Sequence, residues 1–169
     1  MQGEKMARQS MRVLALAYKP TSQIEEKNLI FVGMVGMIDP PRKEAIQAIQ
    51  DLKEAGIETI MITGDHKNTA FAIAKELDIA QNETECISGA ELDKLNEKEL
   101  ARQIQQYRVF SRVTPEHKVK IVKALKENEN IVAMTGDGVN DAPSLKAADI
   151  GIAMGISGTD VAKGAADMV

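Results

Sequence analysis

From Gly36 onward, short apolar runs alternate with stretches whose apolar residues recur at helical spacing, and few folds accommodate that alternation. Strands alternating with helices build a parallel sheet covered on both faces, with ligands at the carboxyl ends of the strands. Pro40 and Pro41 open a helix with Ala45, Ile46, Ile49 and Leu52 on one face, and Gly56 ends it. A strand expected at 57–62 leads through Thr63-Gly64-Asp65 into a helix striped with Ala70, Ile73, Ala74 and Leu77. A helix over 95–107 and a strand over 108–111 follow. The next helix starts at Pro115 and carries Lys118, Ile121, Val122 and Leu125; then come a strand at 131–134, a tight turn, a short helix at 141–147 and a strand at 149–154. The loops after Ile62, Phe110 and Met134 are therefore where a site is expected.

The first part of the chain differs. Two strands are expected at 11–18 and 28–35, joined by a polar connector, and Val13, Leu14 and Leu16 need partners that this segment does not supply. Residues 1–35 therefore read as the tail of a neighbouring domain and 36–169 as the main one. A chain of 169 residues is long enough for one real core. The longest apolar runs, such as 29–34, fall far below the roughly 20 residues of a membrane-crossing helix. A net charge of −4 argues against nucleic acid or an anionic membrane as partner. The single cysteine, Cys86, has no partner for an internal disulfide, and no signal peptide is evident; both suit the cytoplasm.

Four motifs carry chemistry. In Thr135-Gly136-Asp137-Gly138-Val139-Asn140-Asp141, two carboxylates and an amide converge after a strand, a hard-oxygen set suited to magnesium; an ordinary Asp/Asn/Gly turn with a helix cap is the alternative. Thr63-Gly64-Asp65 offers a hydroxyl and amides at a helix start for a phosphoryl group, or else a plain N-cap from Thr63 or Asp65. Lys118 opposes its helix dipole, a cost offset if it faces a phosphoryl or carboxylate group. His117 beside it reads as a surface or capping residue. Asp39-Pro40-Pro41-Arg42 forms a stiff hinge from which Arg42 reaches a phosphate or Asp39; a structural turn is the alternative.

In order and spacing, these motifs resemble the P-type ATPases, and the resemblance covers nearly the whole chain. Ile150-Gly151-Ile152-Ala153-Met154-Gly155 and Gly158-Thr159-Asp160-Val161-Ala162 look like the calcium-pump branch. The resemblance implies an α/β, haloacid-dehalogenase-like (Rossmann-like) fold, with 1–35 the end of a nucleotide-binding domain and 36–169 the phosphorylation domain. It implies ATP as substrate and Mg2+ as cofactor. Asp137 would bind magnesium, supported by Asn140 and Asp141. Thr63 would hold the phosphoryl group in a pocket shaped by Gly64 and Asp65, Lys118 would stabilise its charge, and Asp39, Arg42 and Arg112 would contact or orient ATP. The implied partners are the remainder of a pump, its nucleotide-binding, actuator and transmembrane domains, with this segment on the cytoplasmic side and touching the membrane only through the parent protein.

In that family the phosphorylated aspartate lies in an Asp-Lys-Thr-Gly-Thr motif, and no Asp-Lys-Thr-Gly occurs here. The sheet is accordingly expected to be incomplete, without its nucleophile strand, and the chain alone inactive. Two other readings stand beside this one: a self-contained phosphohydrolase with another nucleophile, and a non-enzymatic nucleotide-binding module.

Overall fold

The computed structural model describes residues 2–7, 11–21, 26–38 and 40–169; Asp39 of the expected hinge lies outside them. A short helix, α1 (Gln2–Ala7), precedes two antiparallel strands, β1 (Met11–Tyr18) and β2 (Ile30–Ile38), paired from Met11 opposite Ile38 to Tyr18 opposite Ile30. β2 starts at Ile30 rather than residue 28 and runs on to Ile38, past the expected end at 35. Gly36 does not stop it, because the missing side chain lets β2 pass close to Met11, whose sulfur would lie 2.7 Å from an added Cβ. Leu14, Leu16, Phe31, Val32 and Val35 of this hairpin are all exposed, so it has no core of its own.

Helix α2 (Lys43–Glu54) ends as its sequence predicts. Gly56 takes a left-handed φ of 75°, and the N–H groups of Gly56 and Ile57 close the last turn on the carbonyls of Lys53 and Leu52. No residue of α2 is buried, and Leu52 on its apolar face is exposed.

The main body runs β3 (Met61–Ile62), α3 (Lys67–Glu76), β4 (Cys86–Ser88), α4 (Gly89–Leu92), α5 (Glu97–Gln103), β5 (Val109–Ser111), α6 (Pro115–Glu127), β6 (Ala133–Gly136), α7 (Ala142–Ala147), β7 (Ile150–Ala153) and α8 (Asp160–Ala165). β5 lies between β3 and β4 in one parallel sheet, and β6 pairs with β7 in another. Side chains alternate across the first sheet as the pleat requires. Cys86 and Val109 face α3, where Ala70 and Ala74 let the helix approach closely. Ile87 and Phe110 face the other way, into Leu92, Leu100, Ile104 and Ile121 of α4 to α6. Burying each of these larger side chains is worth about 1.5–3 kcal/mol. The second sheet has a smaller core of Leu145, Ala153 and Ala162, contributed by α7, β7 and α8.

The α/β fold with helices on both faces is thus as the sequence implies, with corrections of detail; the strand expected at 131–134 lies at 133–136. The strand expected at 57–62 is only Met61–Ile62, an edge strand with β5 on one side. The helix expected at 95–107 starts at its cap, where Asn96 and Glu99 exchange side-chain and backbone hydrogen bonds, and gives way to a 3-10 turn at Ile104–Gln106. β4, α4 and α8 were not foreseen, being too short for a periodic signal. In place of one continuous sheet there are two, and a cleft separates the edges of β3 and β6. Ile60 and Ile62 line one wall, and Ala133, Met134 and Thr135 the other.

Candidate functional site

Two clefts meet the carboxyl end of β3. The first lies between the β1–β2 hairpin and the β3–α3 loop and is lined by Arg12, Thr63, Gly64, Asp65, His66 and Arg112, among others. The second is the gap between β3 and β6, and Lys118, Gly136, Asp137 and Asp141 line it together with the strand residues named above.

The loop after β3 is a closed polar turn. The Asp65 N–H donates to Thr63 Oγ1 at 3.0 Å, and that hydroxyl donates to Asp65 Oδ2 at 3.1 Å. Neither Thr63 nor Asp65 caps α3; His66 does, its Nδ1 accepting the Asn68 N–H. Asp65 faces the hairpin instead, where Arg12 Nη2 meets its Oδ1 at 2.9 Å. Nothing lies within 4 Å of where a Gly64 Cβ would be, so the backbone there is open to a ligand. Arg112 follows β5 with a φ of 51°, and its N–H donates to the Asp65 carbonyl. This ties the β5–α6 segment to the β3–α3 loop.

In the second cleft, Asp141 is the organiser. It is 8% exposed and ends a 3-10 turn, Val139–Asp141. Its Oδ2 accepts the N–H groups of Asp137 and Gly138 at 3.2 and 3.1 Å, and its Oδ1 meets Lys118 Nζ at 2.5 Å. Burial by itself would raise the Asp141 carboxyl, but Lys118 and the two amides outweigh it and hold the group below the ordinary carboxylate range. Gly136 packs directly on Asp141, whose Cβ would lie 2.5 Å from an added Cβ, so the turn closes only with glycine there.

Asp137 is exposed, and among the described residues its carboxylate has no partner. Among those residues no group of three or more His, Cys, Asp or Glu side chains converges. A set of one open and one already engaged carboxylate fits magnesium, which takes few protein oxygens and keeps waters and phosphate oxygens for its other positions.

The structure therefore brings Thr63, Gly64, Asp65 and Arg112 to one cleft and Lys118, Asp137 and Asp141 to the other. Arg42, at the N-cap of α2, and Asn140, in the turn before Asp141, line neither. Arg12 was missed in the sequence because it stands alone in a strand without motif, 53 residues from the aspartate it meets.

Residues 4–149 match the family of haloacid dehalogenase-like hydrolases. The chain belongs to that family. Within this hydrolase group it is similar to ion-pumping ATPases over nearly its whole length. It is 62% identical over 97% of its residues to "Calcium-transporting ATPase 1" of Bacillus cereus. It is 50% identical over 98% to both "Calcium-transporting ATPase type 2C member 2" of Homo sapiens and "Cation-transporting ATPase pma1" of Synechocystis. The chain spans only 17–19% of the length of these relatives. Among the described residues no helix is long and apolar enough to cross a membrane.

Proposed function

We propose that this chain supplies the magnesium- and phosphoryl-binding half of the catalytic site of an ATP-driven cation pump, with calcium the ion that its relatives' names favour. The observation that carries the reading is the convergence of Lys118, Asp137 and Asp141 beside the open edge of β3.

Asp137 and, behind it, Asp141 would hold magnesium, which when bound shields phosphate charge during transfer. Lys118, now neutralised by Asp141, is placed to turn toward a phosphoryl oxygen. In the first cleft, Arg12 and Arg112 supply positive charge for the polyphosphate of ATP, Thr63 a hydroxyl for the transferred group, and Gly64 and Asp65 the shape of the pocket. Asn140 would steady the loop, and because Arg42 at the N-cap of α2 lines neither cleft, a part for it and Asp39 in orienting the nucleotide would need the rest of the pump.

The nucleophilic aspartate would arrive on a further strand seated between β3 and β6. Two features support that: both flanking strands are parallel edge strands, and the apolar face of α2 is unburied. The rest of the pump, its nucleotide-binding, actuator and transmembrane domains, would supply this strand, with the present segment on the cytoplasmic side. Alone, the chain would bind magnesium and ATP without steady turnover.

The deciding experiment measures magnesium-dependent ATP binding and the hydrolysis of ATP and p-nitrophenyl phosphate by the purified chain, with Asp137→Asn as control. Binding that weakens in the variant, without hydrolysis above it, is expected. Hydrolysis that disappears in the variant would overturn the reading in favour of a self-contained phosphohydrolase.

A further inference from the structure

His117 is left unused by the reading above, yet it is 8% exposed and both ring nitrogens are engaged. Nδ1 accepts the backbone N–H of Thr114 at 3.1 Å, and Nε2 lies 2.8 Å from Asp93 Oδ1. A ring nitrogen that accepts carries no proton, so the proton sits on Nε2 and is donated to Asp93. His117 also returns its own N–H to Thr114 Oγ1, completing a capping box. That third position is ordinarily Glu or Gln. Histidine closes the box equally well and has a second nitrogen left over, which tethers the start of α6 to the segment between α4 and α5.

The other side of the ring is also fixed. A Cβ on Gly89 would collide with the Arg112 carbonyl oxygen and lie 3.0 Å from His117 Cε1. Gly89, the His117 ring and the left-handed Arg112 backbone therefore pack as one unit. From this unit the two cations leave for different clefts, Arg112 for the first and Lys118 for the second.

We propose that His117 is a positioning residue, holding the β5–α6 segment so that Arg112 and Lys118 face their separate clefts at the same time. The proposal rests on the reading above only for the identity of the ligand.

Three substitutions separate this role from simple stability. His117→Gln keeps an acceptor for Thr114 and an N–H for Asp93. His117→Glu keeps the acceptor but sets a carboxylate against Asp93. His117→Glu combined with Asp93→Lys restores an attractive pair. Magnesium-ATP affinity and melting temperature are measured for each in the whole 169-residue chain. Affinity should stay near the parent value for Gln, fall roughly tenfold for Glu, as for other residues that orient ligand-contacting groups, and recover in the double variant. Affinity that merely follows melting temperature across the set would overturn the proposal. If the parent chain binds no magnesium-ATP, the cleft reading fails, and His117 is judged on ligand-free NMR signals of Lys118 Nζ and Arg112 Nε. These should move in His117→Glu and return in the double variant; unmoved signals would overturn the proposal.

Discussion

Lys118 on α6 and Asp141 at the end of the turn before α7 are each other's charge partner, 2.5 Å apart, and the same carboxylate gathers the backbone of Asp137 and Gly138. One side chain thus joins the positive wall of the second cleft to the loop that carries its open carboxylate.

Removing the lysine should therefore cost stability as well as function. Lys118→Met leaves the buried Asp141 carboxylate without its cation. Breaking a buried pair costs about 3–5 kcal/mol, and the partial exposure of Lys118 reduces that to about 2 kcal/mol. Asp141→Asn should cost less at the ion pair, because the lysine reaches water more easily than the carboxylate does. Urea unfolding of both variants at neutral pH checks the order; equal midpoints for parent and Lys118→Met would show that the pair contributes nothing.

The same pair sets a pH dependence. The folded Asp141 carboxyl titrates below its unfolded value of about 4, so it stabilises the fold fully above that value and the contribution is lost as pH falls through the lower, folded value. Glu91, held down by hydrogen bonds from Ser88, acts in the same direction. Unfolding midpoints measured from about pH 6 to about pH 2 should fall through this window. In Lys118→Met the fall should be shallower, since a cause of the depression is gone. A parallel curve would assign the acid loss to other carboxylates.

What the sequence makes plain here, and what it does not, follows from how far apart the interacting residues lie. Helix α6 is legible because Ile121, Val122 and Leu125 repeat at helical spacing behind a Thr-Pro start, and the Gly56 ending of α2 is equally local. The Thr63 loop is legible because β3 ends with its apolar run at Ile62, whereas β6 starts two residues late and runs on through Thr135 and Gly136, beyond the apolar run that marked it. β4 is not, since Cys86–Ser88 is too short to show a period, and neither is the division of the sheet, which concerns strands far apart in the chain. His117 reads as a surface or capping residue because its cap is local, while its burial comes from Gly89 and Asp93, more than twenty residues earlier.

Arg12 and Asp65 give a prediction in which binding and stability part company. Their side chains are 68% and 27% exposed, and such pairs are worth about 0.2–1 kcal/mol. Arg12→Ala should accordingly shift the unfolding midpoint little. The same change removes a cation from the first cleft and should weaken ATP binding severalfold, with a smaller effect at high salt because exposed charges are screened. Calorimetric titration at low and high salt tests this, and an unchanged affinity would place the polyphosphate elsewhere.

Cys86 offers a probe of the sheet itself. It lies in β4 at 3% exposure, packed with Ala70, Ala74 and Val109, and burial pushes its thiol up to about 11. Only the thiolate attacks a disulfide reagent, so at about pH 8 the buried, folded thiol should react far more slowly than the unfolded one. Reaction with an aromatic disulfide, followed by absorbance across a urea series, should therefore be slow in native conditions and accelerate as the β3-β5-β4 sheet opens. Since α3 covers this cysteine and also begins at the Thr63–His66 loop, ATP bound in the first cleft should slow the reaction further. Rapid labelling without urea would mean that β4 is not held against α3, and the inner wall of the first cleft would then lose its support.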